Sequence, residues 1–257
     1  MILDDALADL GPRPPGPVVR VLGRVFPGVR EVQAQTRPYA EFWARANRAA
    51  LTRTGPLWVA LGDSMTQGIG ASDPLHGWVG QLSDRLTAQG WTHRLVNLAV
   101  TGARVGDLVE SQLPALDAII GREGPPDLVT VVIGSNDVVS PRLRGGLADR
   151  FAQMLDRLPD GTVVMNLPNP HREARRVDDV IRERAATGRV VLADMRAGGP
   201  HGWRGLLAPD SFHPNDRGYA AMADVVAQSL GGAGLPHRVP PGDESGSGSG
   251  STSGSPE

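Results

Sequence analysis

The chain predicts a doubly wound α/β sheet, and three observations carry that expectation. Five short apolar runs, at residues 57–61, 94–100, 128–133, 163–167 and 190–193, have strand length. They are rich in Val, Leu and Ile, as strands buried on both faces require. Helical segments alternate with them near 78–88, 105–119, 145–158 and 173–187, with a last one near 217–230. Such alternation marks parallel strands joined by right-handed helical crossovers. The residues best suited to chemistry then follow the apolar runs, at the strand ends where ligands bind in open sheets of this kind.

Residues 11–28 are rich in Pro and Gly and read as irregular. A helix is expected near 31–53, with Phe42, Ala46, Ala49 and Ala50 on one side and Arg45, Arg48 and Arg53 largely on another. Pro38 interrupts its first part. This helix reads as an addition packed on the main domain, within an N-terminal extension over 1–54. The main domain spans 55–235. Its first apolar run leads into Gly62-Asp63-Ser64, the second into Thr101-Gly102 and the third into Gly134-Ser135-Asn136-Asp137. Asn166-Leu167-Pro168-Asn169 closes the fourth. The loop before the final helix carries Asp210-Ser211-Phe212-His213 and can bring it to the same edge. From 236 to 257 the chain becomes Gly-Ser repeats, too polar to fold, and is expected to be a disordered tail.

Composition excludes several classes of chemistry. A chain of 257 residues with 40% hydrophobic and 21% charged residues is an ordinary globular protein able to bury a large core. Its net charge of −2 gives no electrostatic case for nucleic acid or an anionic membrane. The absence of cysteine removes thiolate nucleophiles, cysteine-based zinc sites and disulfides. All 26 basic residues are arginine, which removes a Schiff-base lysine, a pyridoxal-phosphate anchor and the lysine of a P-loop. His76, His93, His171, His201 and His237 lack the paired spacing of a metal site, so surface or loop roles are expected for them. Gly68-Ile69-Gly70 is no dinucleotide fingerprint, because position 73 is Asp. Neither metal nor cofactor is expected. The N-terminus lacks a basic start followed by an apolar core, and no run approaches the ~20 apolar residues of a spanning helix. The expectation is a cytoplasmic protein without stable membrane insertion. Nothing in the sequence specifies an oligomeric state.

What the strand ends offer is acyl transfer. A serine hydroxyl is a weak nucleophile until a base takes its proton. His213 is the natural base for Ser64, since imidazole titrates near neutrality and can later protonate a leaving group. Pro214 biases His213 toward an extended conformation suited to presenting its side chain. Asp210 can hold the other ring nitrogen and fix the tautomer; alternatively it is a turn residue and Ser64 and His213 act as a dyad. Donors for a developing oxyanion are the amide of Ser64, the amide of Gly102 and the side chain of Asn136. Asp137 is expected to be structural. The Gly-x-Ser-x-Gly elbow of α/β-hydrolases is absent, because Thr66 occupies the second glycine position. A Gly-Asp-Ser tripeptide alone arises in roughly one shuffled chain in seven. The force lies in the ordered set.

That set resembles the SGNH/GDSL hydrolases, a family named for four blocks. They are matched here by Ser64 in Gly-Asp-Ser-Met-Thr-Gln-Gly, Gly102 in Asn-Leu-Ala-Val-Thr-Gly, Asn136 in Gly-Ser-Asn-Asp and His213 in Asp-Ser-Phe-His-Pro-Asn. The likeness spans about 57–230. It implies a three-layer α/β/α, flavodoxin-like fold and esterase or lipase chemistry on a small-molecule ester without a metal. The one departure is Met65, where the family usually carries Leu or Ile, a volume-conserving change. An acyltransferase using the same site is the alternative, and a non-catalytic interaction module is a third reading. The acyl and alcohol pockets are expected from the loops near 65–78, 138–146, 168–173 and 196–209, with Trp78 and Trp203 either lining them or serving the core.

Overall fold

The computed structural model describes residues 7, 10, 11 and 22–233. The Gly-Ser segment over 236–257 and residues 12–21 lie outside them; of the stretch over 11–28 expected to be irregular, residues 22–25 and 27–28 are helical. Five parallel strands form one sheet: β1 (Leu57–Gly62), β2 (Arg94–Asn97), β3 (Leu128–Val132), β4 (Thr162–Met165) and β5 (Val190–Ala193), in the order β2-β1-β3-β4-β5. The chain steps outward from β1 to the edge strand β2 and returns across β1 to β3. That reversal places the switch point of the sheet at the C-terminal end of β1.

Alternation along β1 sorts its side chains between two cores. Leu57, Val59 and Leu61 join one apolar cluster, and Trp58 and Ala60 join the other. The first cluster is closed by α5, by α7 (Leu147–Leu155) and by α8 (Arg172–Ala186). Here α5 denotes the consecutive segments Val105–Asp107, Leu108–Gln112 and Leu113–Glu123. The second cluster is closed by α4 (Trp78–Ala88) and by α10 (Asp216–Ala233). The result is the three-layer arrangement that the sequence predicts, with β1 and β3 wholly buried. Short helices α3 (Ser64–Gln67), α6 (Ser135–Val139) and α9 (Met195–Gly198) start at or soon after the ends of β1, β3 and β5. No helix among the described residues is long and apolar enough to cross a membrane.

The N-terminal helix differs from its expected form. Two helices replace it, α1 (Pro27–Ala34) and α2 (Thr36–Ala50), with the break at Gln35. Pro38 has no N–H to donate back to Ala34, so the helix cannot run through unbroken. The inward face is also wider than the apolar pattern: Ala50 is buried and Phe42 and Ala46 pack on the second cluster as expected, Tyr39, Ala40, Trp43 and Asn47 are buried with them, and Ala49 is exposed. This face lies against β2. Asn47 Oδ1 accepts from Asn97 N at 2.8 Å and Asn47 Nδ2 donates to Asn97 O at 2.8 Å. One side chain therefore pairs the backbone of an edge strand as a neighbouring strand would.

A similar substitution closes the end of β1. Strand β2 ends at Asn97, opposite Ala60; the chain beyond it still donates Val100 N to Gly62 O at 3.2 Å but leaves a gap at Gly62 N. Gln112 fills it, its Oε1 accepting from Gly62 N at 2.8 Å and its Nε2 donating to Gly62 O at 2.7 Å. Gln112 reaches that point from the wide π turn Leu108–Gln112, a local distortion often found beside functional sites. Replacing Gln112 by Leu strands a buried N–H, at a cost of about 1–3 kcal/mol. Urea unfolding should show that loss with an unchanged m value, and unchanged stability would refute the pairing role.

Candidate active site

The turn out of β1 is dictated by close packing. Gly62 has φ +152°, and a Cβ there would stand 2.3 Å from Val132 O and 2.4 Å from Thr66 Oγ1. The residue after it, Asp63, caps α3 by accepting from Met65 N at 3.0 Å. Thr66 N and Gln67 N both donate to Asp63 O. The cap is therefore Asp63 rather than Ser64, and Ser64 is the first helical residue, buried and facing the loop before α10.

That loop is held by its own aspartate. Asp210 Oδ1 accepts from Phe212 N and His213 N, each at 3.0 Å. Ala208 N donates to His213 O at 2.8 Å, and Ser211 takes up the left-handed conformation at φ 56°. The folded loop points His213 at Ser64. His213 Nε2 lies 2.8 Å from Ser64 Oγ, and His213 Nδ1 lies 2.5 Å from Asp210 Oδ2. Burial alone would raise the Asp210 carboxyl, but the bond and charge of His213 and the two backbone N–H donors hold it below its ordinary value. An ionised Asp210 accepts from Nδ1–H, which leaves the Nε2 lone pair facing the Ser64 hydroxyl.

The remaining sequence candidates arrive at the same edge. Gly102 is exposed with φ +79°, and nothing stands within 4 Å of where its Cβ would be. Asn136 lies on α6, its Nδ2 donating to Ala103 O at 2.9 Å and lying 3.4 Å from Asp63 Oδ2. Its neighbour Asp137 is buried and accepts from Val105 N at 3.1 Å, a brace for the start of α5. Asn166 also braces, donating to Asp178 and Asp194 and accepting from Met195 N. Trp78 belongs to the core beside Trp58, while Trp203 lines a pocket.

That pocket holds about 250 Å³, and its wall includes Met65, Phe212 and Pro214, the chain neighbours of Ser64 and His213. Methionines from four separate elements line it, Met65, Met165, Met195 and Met222. Of these, only Met65 lies in a loop region named from the sequence. The others come from a strand end and two helices, and no spacing rule joins them. Met side chains are flexible and polarisable and adapt to irregular apolar ligands.

Asp63 is the buried titratable group closest to the nucleophile candidate. Burial pushes its carboxyl up to about 7; the Met65 N–H and the charge of His213 oppose the rise, and Asp137 adds to it. A carboxyl raised in this way binds its proton more tightly in the folded protein. Its stabilising contribution is full below the ordinary carboxylate range and is lost as pH rises toward 7. Asp63→Asn keeps the shape and the cap acceptor. Between pH 4 and pH 7 the parent should lose stability relative to this variant by several kcal/mol in chemical unfolding. Parallel pH–stability curves would show that Asp63 ionises normally.

A parallel α/β sheet with a Ser–His–Asp line at the switch point of its strands defines a hydrolase of the serine type. Residues 60–221 match the model of the GDSL-like Lipase/Acylhydrolase family. The chain is 30% identical over 165 residues to esterase TesA of Pseudomonas aeruginosa, covering 61% of this chain and 78% of that protein. It is 29% identical over 154 residues to a GDSL-like esterase of Mycobacterium tuberculosis, covering 51% of this chain and about half (48%) of that protein's length. The crystal structure of a lipase/acylhydrolase from Enterococcus faecalis shares the fold, with a TM-score of 0.54 at 17% identity over 72% of this chain and all of that one. The protein belongs to the GDSL-like lipase/acylhydrolase family, and it is an enzyme of the serine hydrolase class.

Proposed function

We propose that the protein is a carboxylic ester hydrolase that works through an acyl-enzyme on Ser64. The observation that carries this reading is the bonded line Ser64 Oγ, His213 Nε2, His213 Nδ1, Asp210 Oδ2, at 2.8 and 2.5 Å. His213 takes the hydroxyl proton as Ser64 Oγ attacks the ester carbonyl carbon. Asp210 fixes the ring tautomer and stabilises the imidazolium. The tetrahedral oxyanion is held by the amides of Ser64 and Gly102 and by Asn136 Nδ2. One Asn136 hydrogen is engaged by Ala103 O, and the other, only loosely met by Asp63 at 3.4 Å, is the one that turns to the oxyanion. Collapse expels the alcohol, which receives the proton from His213. Water, activated by the same imidazole, then releases the acid.

The methionine-lined pocket suits the acyl chain, being largely apolar and walled by Met65, Phe212 and Pro214, the chain neighbours of Ser64 and His213. If a methylene takes the ~30 Å³ that a water occupies in the liquid, 250 Å³ accommodates about eight carbons. The natural substrate class is then a short to medium aliphatic ester.

Ser64→Ala should lower hydrolysis of p-nitrophenyl butyrate by on the order of 10⁴-fold or more, with circular dichroism unchanged. Activity close to the parent's would place the nucleophile elsewhere. Products formed with water and an added alcohol in competition distinguish hydrolysis from acyl transfer. Across a p-nitrophenyl ester series from acetate to laurate, kcat/KM should climb by up to about fourfold per methylene and then fall beyond the length the pocket holds. A maximum at acetate would remove the acyl role from the pocket.

A further inference from the structure

One stripe of the N-terminal helices reaches into the backbone of the loops that carry the site. Gln35, Tyr39, Trp43 and Asn47 recur every fourth residue, so they rise along one slowly turning face over about 18 Å. Every one of them hydrogen-bonds main chain across the interface. Gln35 Nε2 donates to Ala71 O at 3.0 Å while Gln35 Oε1 accepts from Gly70 N at 2.7 Å. Tyr39 Oη donates to Ala71 O at 2.7 Å, and Trp43 Nε1 donates to Gln67 O at 2.9 Å. Asn47 pairs both backbone groups of Asn97. The family match begins at residue 60, so α1 and α2 lie outside it.

The segments held are those behind the reacting groups. Residues 67–71 continue directly from α3, whose first residue is Ser64. Gly70 backs onto the histidine loop so closely that a Cβ there would stand 2.7 Å from His213 Cβ. Residues 97–101 lead into Gly102. Buried Gln67 ties the two segments together, its Nε2 donating to Ala99 O at 2.7 Å and its Oε1 accepting from the Thr101 hydroxyl at 2.6 Å. Asn97 Nδ2 completes the link by donating to Thr66 O at 2.8 Å. The packing is apolar on its far side, where Val32 and Tyr39 meet Ile69 and Ala208.

We propose that α2 is a positioning clamp for catalysis: through Trp43 and Asn47 it sets the relative placement of the Ser64 helix and the Gly102 loop, and so of nucleophile and oxyanion donor. This rests on the ester-hydrolase reading of the site. None of the four side chains touches the reacting atoms, so each is a positioning residue. A misplaced oxyanion donor weakens the transition state more than substrate binding, which predicts a loss in kcat with little change in KM.

Trp43→Phe keeps an aromatic ring and deletes one N–H, and Asn47→Leu keeps the approximate volume and deletes the paired contacts. Both are made in the full chain, and active sites are counted by fluorophosphonate labelling. Trp43→Phe should lower kcat for p-nitrophenyl butyrate about tenfold with KM within twofold of the parent. Hydrogen exchange should quicken about tenfold in peptides covering 66–71 and 98–103 and stay unchanged in β3 and β4. Should Asn47→Leu fail to fold, Trp43→Phe carries the test alone. Unchanged exchange in those loops overturns the clamp, and so does faster exchange with an unchanged kcat, which would leave the stripe a stability feature only. A parent without esterase activity whose loops still loosen in Trp43→Phe would sink the ester reading and keep the mechanical link.

Discussion

The site depends on how the chain leaves β1. At Gly62 it must turn between Val132 O and the Thr66 side chain, with 2.3–2.4 Å available where a Cβ would be, so the position admits no side chain. Gln112 supplies the acceptor that Gly62 N would otherwise lack, and Asp63 caps the helix that begins at once. Ser64 is thereby fixed as the first residue of α3, a position whose own amide precedes the first intrahelical bond, while Met65, Thr66 and Gln67 donate theirs to Asp63. A nucleophile on a flexible loop would have to be ordered by each substrate. Strand, cap and side-chain pairing order Ser64, the proposed nucleophile, beforehand, which is the condition for electrostatic stabilisation without reorganisation.

Two aspartates near the Ser64–His213 pair show how surroundings divide one residue type into two behaviours. Asp210 meets two backbone N–H groups and a histidine, so its charge is well solvated by the protein. Asp63 is buried with one backbone donor and a distant amide, and its proton is correspondingly hard to remove. The imidazole therefore has one firm anionic partner, on the ring nitrogen opposite the serine. A second full negative charge beside Ser64 would oppose an oxyanion forming there, and the raised carboxyl of Asp63 keeps that charge down below neutrality.

Much of this was legible in the sequence, for identifiable reasons. Strands buried on both faces leave unbroken apolar runs, so 57–61, 128–133 and 190–193 marked β1, β3 and β5 to within a residue. The groups placed after those runs had to converge, because all strands are parallel and end at one edge. The face of α2 is legible only in part, for an equally physical reason. Hydrophobic periodicity places Phe42, Ala46 and Ala50 against the cores, as found, and errs at exposed Ala49, but Gln35 and Asn47 are drawn in by backbone groups that need partners, which no apolar pattern records. Gln112 escaped notice because a π turn shifts the helical register without a sequence signature. The loops expected to build a pocket all reach its wall, through Met65, Val138, Pro168 and Trp203, whereas Met165, Met195 and Met222 join them only in three dimensions.

The central claim is that Ser64 becomes transiently acylated. Acid quenching of the enzyme mixed with excess p-nitrophenyl butyrate, followed by digestion and mass spectrometry, tests this directly. The account predicts a butyryl adduct on the peptide containing Ser64, formed at up to one equivalent within the first turnover and absent from Ser64→Ala. Steady release of p-nitrophenol with no adduct on that peptide, or an adduct on another residue, would contradict it.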